Sequence, residues 1–189
     1  FRTVSTLNYN VIGHNVEELA EQLGAHVDRV LAETGAPRVH LVGHSLGGIV
    51  ARAYIQMGGG EQTVHTCITL GSPHAGTYSA YAGRGRAARD IRPESPFMRS
   101  LAEAPPSDVR FVSYYSNLDA MIIPASNAKI DDPRLKARNV LVKDAGHMSL
   151  LISQQLIASI IDVLRDLEEA PQATVVPMAK RKAGRKRGA

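Results

Sequence analysis

The stretch that decides the fold is VHLVGHSLGGIV, residues 39–50. An apolar, β-branched run stops at a glycine, leaves a histidine and a serine, and resumes only after two more glycines. A buried strand followed directly by a helix needs no such interruption. The centre of the stretch, Gly43-His44-Ser45-Leu46-Gly47, fits the pattern G-x-S-x-G, in which a sharp strand-to-helix turn lifts a serine hydroxyl above the sheet. We therefore predict a nucleophile at Ser45; the alternative is an accidental glycine turn.

The turn itself makes two further demands on its residues. We expect glycine to be required at Gly43 and Gly47, because a side chain at either position would collide with neighbouring backbone. The helix that follows would point its N-terminus at the place where negative charge develops during acyl transfer. The N–H of Leu46 is predicted to donate a hydrogen bond to the oxyanion that carries this charge. The backbone of His44 forms part of the turn itself.

Segments with apolar residues at helical spacing alternate along the chain with short apolar runs that are typical of strands. Apolar residues recur at helical spacing after Asn15, and the pattern ends at Gly35. Asn15 is predicted to cap this helix, in a capping box with Glu18. We predict further helices over 47–59 and 149–169, and strands over 3–11, 38–43, 64–73, 108–117 and 139–144. Because the last four strands are apolar nearly throughout, they should be buried on both faces. The pattern predicts an α/β fold with an open, mostly parallel sheet and flanking helices.

Three parts of the chain are distinguished by composition. We predict a core over 1–169 and, after it, a linker with a basic, disordered tail over 170–189. Within the core we predict a lid-like insertion over 75–107, where glycines, prolines and five arginines interrupt the alternation of strands and helices. Six basic residues lie in the last ten, and without them the formal net charge of +4 becomes −2. The tail is either a solvated segment or a contact for an anionic membrane surface; we do not expect nucleic acid as a partner.

The sequence lacks the patterns that are typical of a disulfide, a membrane span, a metal site or a phosphate-binding loop. Cys67 is the one cysteine, which excludes an intramolecular disulfide, and it lies in an apolar run typical of a buried residue. No apolar run is long enough to span a bilayer. No cluster of His, Cys and Asp has the spacing of metal ligands, and no glycine-rich phosphate loop is present. We therefore expect neither a metal nor a cofactor.

A nucleophilic serine needs a base, and His147 is the best placed of seven histidines. It follows the last predicted strand on a glycine-containing loop, just before the final helix, and loops at the carboxyl ends of parallel strands line functional sites. The alternative is a surface histidine that caps the helix. The other six are assigned to structural or surface positions: His14, His26, His40, His44, His65 and His74.

The base in turn needs a carboxylate to fix its tautomer. Asp119 follows the strand VRFVSYY directly and precedes an apolar stretch, so it should lie at the carboxyl end of that strand in a partly dry setting. Asp144 is the reserve candidate. Other acids that lie between the serine and the histidine include Asp90, Asp108, Asp131 and Asp132.

Four stretches together resemble the α/β-hydrolase superfamily and, within it, the bacterial lipases and esterases. They are GHSLGG (43–48), TLGSPHAGT (69–77), NLDAMIIP (117–124) and DAGHMSLL (144–151). The resemblance implies ester hydrolysis through an acyl-serine, in which Ser45 attacks, His147 transfers the proton and Asp119 orients His147. His74 matches a family position that is not catalytic, and the 75–107 insertion falls where such lipases carry a lid.

The beginning of the chain departs from that resemblance. The family normally has strands before the segment that starts here, and an H-G loop that supplies a second oxyanion donor. No H-G pair that follows an apolar strand lies upstream of Ser45, so we expect the amino-terminal strands of the family to be absent. The predicted activity is hydrolysis of acylglycerols or other carboxylic esters. Two alternatives stay open: an acyltransferase or thioesterase with the same triad, and a non-catalytic binding protein with a hydrolase fold.

Overall fold

A parallel β-sheet of four strands organises residues 3–165, the part of the chain that the structure, a computed structural model, describes. The helices and strands in chain order are α1 (Val16–Thr34), β1 (Val39–His44), α2 (Leu46–Met57), β2 (Val64–Leu70), α3 (Arg86–Asp90), α4 (Pro96–Glu103), β3 (Arg110–Tyr115), β4 (Arg138–Leu141) and α5 (Gln154–Arg165). Short 3₁₀ helices lie at Gly60–Gln62, Tyr78–Tyr81, Ala125–Ala128, Pro133–Leu135 and Met148–Leu151.

The strands lie in the sheet in chain order, β1-β2-β3-β4, and every neighbouring pair is parallel. The register brings His44 beside Leu70, Leu70 beside Tyr114, and Tyr114 beside Val140. All four strands therefore end at the same edge of the sheet, and the loops that follow them meet there. The predicted α/β fold with an open parallel sheet is confirmed.

The two central strands, β2 and β3, are buried on both faces as predicted. The prediction is wrong for β1 and β4, which form the edges of the sheet, because Val42 and Leu141 are exposed there. Neighbouring residues of β2 point to opposite sides: Cys67 belongs to a large cluster with residues of α1, α2 and α4, whereas Ile68 belongs to a smaller cluster with residues of α5. Phe111 and Val112 of β3 divide in the same way. Burial raises the pKa of the Cys67 thiol to about 12, so this side chain behaves as a small apolar residue.

The ends of α1 are set by its sequence. The Asn15 side chain accepts the Glu18 N–H at 2.8 Å, and the Glu18 carboxylate accepts the Asn15 N–H at 3.1 Å. Gly35 ends the helix in the left-handed conformation, with φ 69°. The predicted capping box and glycine stop are confirmed.

Two of the predicted elements differ from the structure. The strand predicted over 3–11 is wrong: residues 3–10 have no regular secondary structure, since Leu7 and Tyr9 pack against the large cluster and no strand lies beside them. The final helix starts later than predicted because residues 148–151 form a 3₁₀ turn and the Ser153 hydroxyl accepts the Leu156 N–H at the start of α5.

The insertion over 75–107 contributes to the core. Its helices α3 and α4 supply Ala87, Phe97, Met98 and Leu101 to the large cluster, and all four side chains are buried. A lid-like role for this segment stays a prediction. The linker and basic tail predicted over 170–189 lie outside the described residues. Within residues 3–165, none of the helices combines the length and the hydrophobicity that a membrane crossing requires.

Candidate active site

Ser45 occupies a strained turn between β1 and α2. Its φ of 53° and ψ of −124° lie where residues other than glycine are rarely found. The Ser45 N–H donates to the carbonyl of Leu70, the last residue of β2, at 2.9 Å, and the Ser45 carbonyl accepts the Gly48 N–H at 3.1 Å. The turn is thereby held against the carboxyl end of the sheet.

The glycines of the turn have different roles. A Cβ at Gly43 would lie 2.6 Å from the backbone nitrogen of Gly48, so glycine is required at Gly43 as predicted. The expectation for Gly47 is wrong, because a Cβ there would meet no atom within 4 Å. The tight position is Gly48, where a Cβ would lie 2.1 Å from the Ser72 hydroxyl oxygen, since α2 packs there against the loop after β2.

We expect Gly43→Ala to lower the free energy of unfolding by about 3 kcal/mol or more, because its methyl group meets backbone atoms that move only if β1 and α2 separate. Urea unfolding measures the change. Gly47→Ala is the matched control; it should leave stability unchanged or raise it by up to about 1 kcal/mol, as alanine does in a helix. Equal losses in the two variants would contradict this account of the turn.

Asp119 and His147 form a buried pair on the loops that follow β3 and β4. His147 Nδ1 donates to Asp119 Oδ2 at 2.8 Å, and the side chains are 8% and 0% exposed. The other carboxylate oxygen, Oδ1, accepts the N–H groups of Met121 at 2.9 Å and Ile122 at 3.1 Å. Three donors fix the orientation of the carboxylate, and its bond to Nδ1 leaves the lone pair of the imidazole on Nε2.

The pair meets the serine turn at the end of β2. A Cβ at Gly71 would lie 2.9 Å from Asp119 Oδ2 and 3.2 Å from His147 Nδ1, and Gly71 directly follows the residue that accepts the Ser45 N–H. Ser45 is half-buried, and within residues 3–165 its hydroxyl makes no hydrogen bond. The structure thus brings all three predicted residues to one edge of the sheet, with the Asp119–His147 pair joined and the serine hydroxyl unpaired.

The other predicted site residues lie as follows. Leu46 is the first residue of α2, where N–H groups have no partner within the helix, and its role as oxyanion donor stays a prediction. His74 is buried beside Thr69, its Nε2 2.9 Å from that hydroxyl, and burial holds its pKa well below the usual range. His74 therefore stays neutral and structural. Among residues 3–165, no three His, Cys, Asp or Glu side chains gather as metal ligands would.

The alternative acids are engaged elsewhere or exposed. Asp90 accepts the Val16 N–H at the start of α1 at 2.9 Å, and Asp132 pairs with Arg134 at 2.7 Å. The reserve candidate, Asp144, is exposed and has a φ of 57°. Two further candidates are also exposed: Asp108 and Asp131.

Two contacts of the site were not predicted. Thr77, which is buried, donates to the Met121 carbonyl at 2.9 Å and accepts the Ile123 N–H at 2.8 Å, so it clamps the loop that carries Asp119. His44 lies beside His147, with the ring centres 4.6 Å apart. Both contacts join residues distant in sequence, and only the presence of Thr77 in TLGSPHAGT hinted at either.

A cavity of about 510 Å³ lies between the insertion and the segment after the Asp119 loop, away from Ser45 and His147. Its buried wall is Arg52 of α2, whose guanidinium donates to the Gln56 side chain at 2.7 Å and to the His74 carbonyl at 3.3 Å. Burial lowers the pKa of Arg52 to about 10. These bonds tie α2 to its neighbours, and none of the three predicted catalytic residues lines this cavity.

Comparisons with known proteins identify the family to which the chain belongs. A family model described as palmitoyl protein thioesterase matches residues 6–126, more than half of the chain. Triacylglycerol lipases from Pseudarthrobacter phenanthrenivorans and Burkholderia plantarii are both 46% identical over 57 residues, which is 30% of this chain. The matched stretch spans only 17% and 15% of those lipases, respectively.

A solved structure shares the fold. Mature Bacillus licheniformis lipase BlEst2 superposes with a TM-score of 0.65 at 18% identity, covering 80% of this chain and 75% of that lipase. The predicted resemblance to α/β hydrolases of the lipase and esterase type is confirmed.

Proposed function

The chain belongs to the palmitoyl protein thioesterase family, and from that premise we propose that it is a serine hydrolase that cleaves carboxylic esters through an acyl-serine intermediate. The observation that carries the proposal is the buried Asp119–His147 pair at the same sheet edge as the strained Ser45 turn. A structural histidine needs neither a fixed tautomer nor a serine held at positive φ beside it.

The acylation step follows from these positions. The Ser45 hydroxyl oxygen attacks the ester carbonyl carbon, and His147 Nε2 takes the hydroxyl proton as the C–O bond forms. The carbonyl oxygen becomes an oxyanion, which accepts the Leu46 N–H at the start of α2. As the tetrahedral intermediate collapses, the bond to the leaving alcohol breaks and His147 returns the proton to that oxygen.

Deacylation repeats the step with water in place of the serine. His147 takes a proton from water, the resulting oxygen nucleophile attacks the acyl carbon, and the bond to Ser45 breaks with return of the proton to the serine oxygen. Asp119 stabilises the imidazolium that forms in both halves and keeps Nδ1 as the donor. The two backbone donors on Oδ1, from Met121 and Ile122, hold the carboxylate in place during each transfer.

The substrate class is proposed from the surroundings of the site and from the relatives. Loop residues that flank Asp119 and His147 leave large apolar side chains exposed, among them Leu118, Met121, Met148 and Ile152. Such a rim suits an acyl chain better than a charged group. Two relatives are named triacylglycerol lipases, which supports an acylglycerol or another lipid ester.

A thioester is the second candidate substrate, and the description of the matched family favours it. The same nucleophile and base serve both reactions, because only the leaving atom changes from oxygen to sulfur. The leaving thiolate is less basic than an alkoxide and needs less help from His147. Oxoester and thioester substrates with the same acyl chain separate the two candidates.

We expect hydrolysis of p-nitrophenyl esters, and capture of a fluorophosphonate probe as one adduct that peptide mass spectrometry places on Ser45. Paired palmitoyl and butyryl oxoesters and thioesters are then compared by kcat/KM. A higher kcat/KM for the oxoesters supports the ester hydrolase, and the reverse order supports the thioesterase. A chain that neither captures the probe nor turns over any of these substrates would be a non-catalytic protein with this fold.

A further inference from the structure

His44 is in direct contact with the proposed base. Its Nε2 lies 3.3 Å from the carbonyl oxygen of His147, and the two rings are tilted by 44° with their centres 4.6 Å apart. A carbonyl oxygen only accepts hydrogen bonds, so His44 carries its proton on Nε2. His44, the residue directly before Ser45, therefore holds the backbone of His147, the proposed base.

The contact completes the restraint on His147. Asp119 fixes the rotation of the imidazole through Nδ1, but a bond to Nδ1 leaves the main chain of the loop free to shift. The side-chain Nε2–H of His44 holds that main chain at His147, the residue directly before the 3₁₀ turn Met148–Leu151. The His44 ring also packs against the imidazole of His147. Nε2 of His147 is left as the nitrogen available to the serine.

We propose that His44 is a positioning residue for His147, which couples the serine turn to the histidine loop through this hydrogen bond and ring contact. The inference rests on the proposed function of Ser45 and His147. The charged or titratable groups that face His44 are His147 and Asp119. Burial is the main cause that lowers the pKa of His44, so a neutral ring donates without adding positive charge beside the base.

Two substitutions separate the hydrogen bond from the rest of the side chain. His44→Phe keeps a ring and removes the donor; we expect kcat to fall about tenfold with KM unchanged. His44→Gln supplies an amide N–H with similar reach and should keep kcat within about threefold of the original protein. His44→Ala serves as the donor-free variant if the phenylalanine does not fold.

A second readout does not need turnover. The proton that His147 Nδ1 donates to Asp119 gives a downfield proton NMR signal, which should persist in His44→Gln and broaden by exchange in His44→Phe. His65→Phe is the matched control, because His65 is exposed near the start of β2, at the opposite end of the sheet, and should change neither kcat nor the signal.

The outcomes are distinct. A His44→Phe protein that keeps both kcat and the NMR signal would overturn the positioning role while the hydrolase stands. If the original protein never captures the fluorophosphonate, yet the signal is lost in His44→Phe and kept in His44→Gln, the positioning role holds and the proposed hydrolase fails.

Discussion

Replacing Ser45 by alanine is expected to lower kcat for ester hydrolysis by on the order of 10⁶-fold, because it removes the hydroxyl that carries the acyl group in the proposed mechanism. The Asp119–His147 pair should remain intact, since neither partner bonds to the serine hydroxyl. The measurement is turnover of a p-nitrophenyl ester together with capture of the fluorophosphonate probe.

A second variant separates the chemistry of the serine from the strain at its backbone. Ser45→Gly also removes the hydroxyl, but glycine accepts the φ of 53° without cost, so the free energy of unfolding should rise by about 1 kcal/mol. Ser100→Ala, at an exposed serine of α4, is the control: it should keep kcat and raise the free energy of unfolding by no more than about 0.5 kcal/mol, the difference in helix propensity. Substantial activity left in Ser45→Ala would disprove the acyl-serine mechanism.

The fold could be predicted from local patterns because each element carries its own signal. The apolar runs that became β2 and β3 are buried on both faces, whereas Val42 of β1 and Leu141 of β4 are exposed at the edges of the sheet. Asn15, Glu18 and Gly35 set the ends of α1. The stretch 3–11 carries a strand composition without a neighbouring strand to pair with. The composition of a segment indicates only that it can adopt an extended conformation. Whether it becomes a strand depends on whether the tertiary structure places another strand beside it.

The positions of the candidate site residues followed from one rule, that loops after parallel strands share an edge. The contacts among them did not follow from it. His44 and His147 are 103 positions apart and Thr77 and Met121 are 44 apart, so local spacing carries no signal for either hydrogen bond. The contrast between Gly47 and Gly48 likewise depends on Ser72, which a different loop brings against α2.

Asp119→Asn is expected to lower kcat by about 10⁴-fold while the fold is kept. The N–H groups of Met121 and Ile122 require an oxygen at the Oδ1 position, so the amide must place its NH₂ group toward His147. His147 Nδ1 would then have to accept a hydrogen bond and could not carry the proton. The imidazole would hold its proton on Nε2, the tautomer that cannot take the proton of Ser45.

Asp144→Asn is the matched control for that variant, because Asp144 is the reserve acid, lies three residues before His147, and is exposed. We expect it to keep full activity, since solvent replaces whatever its carboxylate contacts. Probe capture measures both variants without a natural substrate, and the NMR signal of the His147 Nδ1 proton should vanish in Asp119→Asn alone. If Asp144→Asn were the inactive variant and Asp119→Asn stayed active, Asp144 would be the acid, and the buried pair would be a structural contact of the histidine loop.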